Sequence, residues 1–146
     1  MITVERSALV GHRAADMFAL VADIEAYPRF LPWCSGATVD ERDALRTLGT
    51  LRIDFKGVQQ QFTTENVMAP GESIEMKLVR GPFRSLEGRW RFVPLAEDAS
   101  RVELRLVYQF TTPLLGRLVG PVFSQISNNL VDAFVRRAGA LHGGAP

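Results

Sequence analysis

Cysteine, histidine and lysine are nearly missing from this chain. Cys34 is the single cysteine, so no disulfide can form within it. With only His12 and His142 beside it, a Cys/His zinc cluster is not expected. Excess charge is missing too: 17 basic residues face 16 acidic ones, for a formal +1. That balance argues against a bulk electrostatic nucleic-acid binder, and no DNA partner is expected. No long apolar run is uninterrupted. The longest, Pro113 to Val135, carries Arg117, Asn128, Asn129 and Asp132, which disfavours a transmembrane span. The opening Met1-Ile2-Thr3-Val4-Glu5-Arg6 lacks the basic region and apolar run of a secretory leader, so a cytoplasmic protein is expected. P-loop, dinucleotide-fingerprint and EF-hand patterns are absent, and the glycines are scattered at turns.

What is present suits one domain spanning 1–146. The chain is 47% hydrophobic, enough for a sizeable core without staples. The small residues after Leu141, at about 142–146, are expected to fray. Among the basic residues only Lys56 and Lys77 are lysines; the rest are arginines, which suit bidentate contacts to phosphate and carboxylate.

Ile2 to Val10 alternates with period two, as a strand does, with Arg6 as the exception on the apolar register. Arg13 to Asp23 switches to helical spacing, with Met17, Phe18, Leu20, Val21 and Ile24 recurring on it. Pro28 breaks the helix, and Tyr27 to Trp33 reads as a second short helix or turn. Six further strands follow in a meander. Lys56-Gly57 suits a tight hairpin turn, and Pro70-Gly71 suits the centre of a type II turn. The clearest strand places Val102, Leu104, Leu106, Tyr108 and Phe110 on one face and Arg101, Glu103, Arg105 and Gln109 on the other. Pro113 to about Leu141 has helical spacing, with Pro121 as a kink or a restart. The fold class is therefore α+β: a curved antiparallel sheet of about seven strands, two short helices after the first strand, and a long C-terminal helix across the buried face.

That layout resembles the START-like superfamily, the helix-grip fold. Within it, the chain resembles the coenzyme Q-binding and RatA-toxin family, also labelled polyketide cyclase/dehydrase-like. The resemblance rests on Tyr27-Pro28-Arg29-Phe30-Leu31-Pro32-Trp33-Cys34, on Gly81-Pro82-Phe83 with Leu86-Glu87-Gly88-Arg89-Trp90-Arg91-Phe92, and on Asp132-Ala133-Phe134-Val135-Arg136-Arg137-Ala138. It implies a ligand cavity between sheet and long helix. It also implies two unlike activities: ubiquinone binding in support of respiration, or binding of the large ribosomal subunit that blocks subunit association.

The inward register assigns the cavity wall to Leu51, Ile53, Phe55, Phe62, Trp90, Phe92, Leu106, Tyr108 and Phe110, facing Leu118, Phe123, Ile126 and Leu130. On the strand Val58 to Met68 the same register carries Gln60, Thr64 and Asn66. Polar groups facing an apolar interior need a partner, and with Tyr108 they can orient a quinone carbonyl. Phe30 and Trp33 are expected at the cavity mouth, as a gate or membrane-facing lip. Cys34 has no histidine arranged as a base, so it reads as a packing residue and no catalytic residue is assigned. The strand carboxylates, Asp54, Glu65, Glu75, Glu87 and Glu103, fall on the outward register and make poor general acids. Arg89, Arg91, Arg101 and Arg105 form an outer stripe that can meet rRNA phosphates, with Glu87 and Glu103 on the same face.

The favoured expectation is a non-enzymatic binder of ubiquinone or a related isoprenoid lipid, with no cofactor beyond that ligand. Peripheral contact with the inner membrane goes with it. The alternative is a RatA-type binder of the large ribosomal subunit, and the third is a cyclase-like enzyme.

Overall fold

A computed structural model describes residues 1–142 of the chain. The expected fraying falls largely on residues beyond these, apart from His142, which closes the last helix. The elements run β1 (Ile2–Val10), α1 (Ala14–Ala22), a 3-10 helix (Ile24–Arg29), β2 (Cys34–Arg42), β3 (Arg46–Phe55), β4 (Val58–Ala69), β5 (Ser73–Arg80), β6 (Phe83–Ala96), β7 (Ala99–Phe110) and α2 (Pro113–His142). This is the α+β helix-grip architecture expected from the pattern.

All seven strands form one antiparallel sheet in the order β1-β7-β6-β5-β4-β3-β2. Turn chemistry sets the hairpins. Lys56 and Gly57 both have positive φ, at 52° and 81°, as a two-residue turn requires, and Phe55 pairs directly with Val58. Gly71 has φ 75°, and Glu72 donates its backbone N–H to the Ala69 carbonyl across Pro70-Gly71. Pro28 lies inside the 3-10 helix, and Pro121 interrupts neither the start nor the course of α2.

The strongest alternation lies in β7, where Val102, Leu104, Leu106, Tyr108 and Phe110 are all buried. Covering them, α2 buries Val119, Val122, Phe123, Ile126, Ser127, Val131, Phe134 and Ala138. Arg6, the polar exception in β1, reaches this helix and donates two hydrogen bonds to Asn128 Oδ1 at 3.1 and 2.8 Å. Two aromatic clusters fasten α2 to the sheet. Phe134 meets Tyr27, Phe30 and Trp90 edge-on with centroids 5.3–5.4 Å apart. Phe123 sits among Phe62, Phe83, Tyr108 and Phe110 at 4.8–6.2 Å. These anchors lie roughly 16 Å apart along the helix, at 1.5 Å per residue. Space remains beneath the turns between them. Among the described residues no helix is long and apolar enough to cross a membrane.

Candidate functional site: an inner cavity and an outer groove

The enclosed space between sheet and α2 has a volume of about 80 Å³. Strands supply Leu51, Ile53, Phe62, Thr64, Asn66, Trp90 and Leu106 to its wall; α2 supplies Phe123, Ile126 and Leu130; Trp33 closes one side. Each of these was expected on the inward register or at the mouth.

Five further wall residues escaped assignment: Ile24, Tyr27, Gly49, Met76 and Ser127. Gly49 and Met76 share the alternation of Leu51 and of Ile74, so register could have placed them. Ser127 lies four residues after Phe123, on the same helix face. Ile24 continues the helical spacing of Met17 to Val21, yet it starts a 3-10 helix with Tyr27, which turns both toward the cavity. Gly88, between Leu86 and Trp90 on β6, is a close approach. A Cβ there would lie 2.5 Å from Leu106 Cδ2 and 2.6 Å from Met76 Cε.

Several expected wall residues lie elsewhere. Leu118 is 62% exposed, on the far side of α2 from Phe123. Phe55 ends β3 and faces an outer groove. Phe92 is buried under α1, edge-on to Phe18 at 5.7 Å. Tyr108 and Phe110 belong to the Phe123 cluster and do not line the cavity. The Tyr108 hydroxyl is buried with no hydrogen-bond partner among the described residues, and burial pushes its pKa up. Gln60 stands in an outer recess with Arg52, Gly81 and Pro82. The cause is strand length: β4 pairs with β5 only from Thr63 onward, so Gln60 is flanked by β3 alone, beyond the reach of β5.

The polar part of the wall is small. Thr64 donates to Asn66 Oδ1 at 2.8 Å, and Ser127 donates to the Phe123 carbonyl at 2.7 Å. Tyr27 donates its hydroxyl to the Val21 carbonyl, so only its ring faces the cavity. Burial, with Cys34 and Asp23 adding to it, holds the Tyr27 hydroxyl far above its ordinary pKa. The Asn66 amide N–H groups are left without a partner among the described residues. Among the described residues no carboxylate, histidine or cysteine lines the cavity. Cys34 itself is buried, donates to the Gly36 carbonyl at 3.3 Å, and has its thiol pKa pushed up by burial.

Trp33 and Ile126 line a second space on their other side. This groove holds about 460 Å³ between the segment after the 3-10 helix and α2, and Phe30 stands in it. Both mouth residues are thus near the cavity, but only Trp33 touches it.

The outer sheet face is a charge mosaic. Glu103 lies 3.9 Å from Arg91 and 3.3 Å from Arg101. Arg89 and Arg105 face one another across β6 and β7, flanked in register by Glu75 and Glu5.

Comparison with known proteins places this geometry. The family described as polyketide cyclase / dehydrase and lipid transport matches residues 10–135. The ribosome association toxin RatA of Vibrio cholerae is 43% identical over 143 residues, covering 98% of this chain and 99% of that one. The mitochondrial coenzyme Q-binding protein COQ10 homolog B of Xenopus laevis is 26% identical, covering 97% of this chain and 60% of its own. A START superfamily protein from Mycobacterium smegmatis shares the fold at TM-score 0.81 and 24% identity, with 95% and 98% of the two chains covered. The chain belongs to the polyketide cyclase / dehydrase and lipid transport family, whose model spans most of its length.

Proposed function

We propose that this protein associates with the ribosome, through the large subunit, and thereby hinders subunit joining. The observation that carries the reading is the 43% identity with a ribosome association toxin across almost the full length of both chains. Cavity size supports the same order of readings. At about 80 Å³ the enclosed space is well short of the roughly 300–1,000 Å³ of ordinary ligand pockets. Quinone storage therefore requires the helix or the Trp33 wall to move.

Sedimentation of the purified protein with isolated large and small subunits tests the reading. Co-migration with the large subunit, and fewer joined ribosomes in its presence, are the expected results. Free protein remaining at the top of the gradient would sink the reading.

A second reading, binding of a hydrophobic molecule such as ubiquinone, is supported by the apolar wall with the unpartnered Asn66 amide. Its donors suit a carbonyl acceptor. Organic extraction and mass spectrometry after expression in a quinone-rich host test it. A lipid-free extract counts against it. A cyclase-like reaction has the least support, since the cavity offers only Thr64, Asn66 and Ser127 as polar side chains beside the engaged Tyr27.

A further inference from the structure

The outer groove holds chemistry that the cavity lacks. Two cations lie over aromatic rings at its edges: Arg137 is 5.0 Å from the Phe30 centroid, and Lys56 is 5.3 Å from that of Phe55. Both rings are half-buried and so keep an accessible part. Between them α2 presents Gln125 and Asn129, one turn apart. Lys56 donates to Gln125 Oε1 at 2.8 Å, and the Asn129 amide donates to the Gln125 carbonyl at 2.7 Å. The Gln125 N–H groups and Asn129 Oδ1 are left without partners among the described residues. Arg136 completes the lining, and among the described residues no carboxylate takes part in it. Neither Lys56, Arg136 nor Arg137 forms an ion pair among the described residues. Asp132, one turn before Arg136 on α2, stays unpaired with it.

We propose that this groove is where the protein holds an unpaired stretch of ribosomal RNA. Phosphates sit at Lys56, Arg136 and Arg137; bases lie against Phe30 and Phe55; and the free amide groups of Gln125 and Asn129 meet base edges. The proposal rests on the ribosome-association reading. Sequence-tolerant binding of single strands combines cations along a groove with aromatic faces. Amide donors and acceptors read unstacked base edges. An acyl chain in the same groove would desolvate the Gln125 N–H groups and Asn129 Oδ1 with nothing to bond them. The outer sheet face is a weaker candidate, because Glu103 engages Arg91 and Arg101, and Glu5 and Glu75 flank Arg105 and Arg89.

The test is sedimentation of full-length variants with purified large subunits over a salt series. R136E/R137E is expected to lower affinity by about ten-fold or more and the salt slope by about 2, one per lost phosphate contact. Lys56→Asn, a residue suited to the left-handed backbone at that turn, is expected to weaken binding about three-fold even if the double reversal fails to fold. R89E/R105E is expected to stay within about two-fold of wild type. Full binding by both groove variants, with loss in R89E/R105E, overturns the proposal and leaves ribosome association standing. Groove variants that lose binding to phosphatidylglycerol vesicles but not to subunits also overturn it, assigning the groove to a membrane surface. A wild-type protein that ignores the large subunit overturns both.

Discussion

Trp33 and Ile126 each stand between two spaces, with the closed cavity on one side and the open groove on the other. Together they form the partition that keeps the interior apart from the surface. Trp33→Ala is expected to join the two spaces. Loss of a buried large aromatic costs about 3–5 kcal/mol of stability, readable in a urea melt. The opened interior is also expected to take up an apolar fluorescent dye more strongly than wild type. Unchanged dye binding would mean that Trp33 is not the wall.

Gly88 lies against two side chains of the cavity wall. A Cβ at that position pushes on Leu106 and Met76, and both line the space. The atoms it meets are side-chain ends, which yield by moving into the void. Gly88→Ala is therefore expected to fold, with about 1–3 kcal/mol lost to overpacking. If a lipid is recovered from wild-type protein, the variant should carry less of it.

The buried hydroxyls of Thr50 and Thr63 form a directed chain. Thr50 donates to Asp40 Oδ2 at 2.7 Å, so its oxygen must accept from Thr63, also at 2.7 Å. Asp40 is brought in by a bulge between Val39 and Glu41 in β2. Thr63→Val keeps the shape and removes the donor. The expected loss is about 0.5–1.5 kcal/mol in chemical denaturation. No loss would show that Thr50 needs no second partner.

Alkaline pH is expected to weaken the fold. Cys34 and Tyr27 are neutral when protonated, and burial raises the folded-state pKa of each above its ordinary value of 9.0 or 10.0. The folded chain therefore keeps protons that the unfolded chain has released. Their contribution is full below the ordinary values and is lost as pH climbs above about 9 for Cys34 and about 10 for Tyr27. One proton held only by the folded chain sets a slope of at most about 1.4 kcal/mol per pH unit. Tyr27→Phe should flatten the profile above pH 10 while lowering stability at neutral pH by the lost bond to Val21. Cys34 should also resist a thiol reagent at pH 8 until the chain is unfolded.

Leu118 and Phe123 should differ sharply on truncation. Phe123→Ala is expected to cost about 3–5 kcal/mol. Leu118→Ala should change stability by no more than about 0.5 kcal/mol, as at an ordinary surface site. A large effect at Leu118 would return it to the cavity wall.

Period-two alternation was enough to read β7 and the inner faces of β3, β4 and β6, because a strand's side chains must point to opposite faces. It therefore located Leu51, Ile53, Phe62, Thr64, Asn66, Trp90 and Leu106 on the cavity wall without a structure. The helix was less legible. Leu114, Leu115, Leu118, Val119, Val122 and Phe123 make the first turns of α2 apolar almost all round, so the pattern does not say which stripe is buried. Leu118 lies five residues before Phe123, about 140° around the helix, and packing selects Phe123.

The sequence by itself determined the strand registers, the turns and the family, since these follow from local stereochemistry and from residues adjacent in the chain. Tertiary structure alone decided where the sheet runs out beneath Gln60 and which face of α2 is covered. It alone brought Lys56, Phe30 and Arg137 to one groove. Those outcomes depend on the relative lengths and rotations of elements far apart in sequence, which no local pattern encodes.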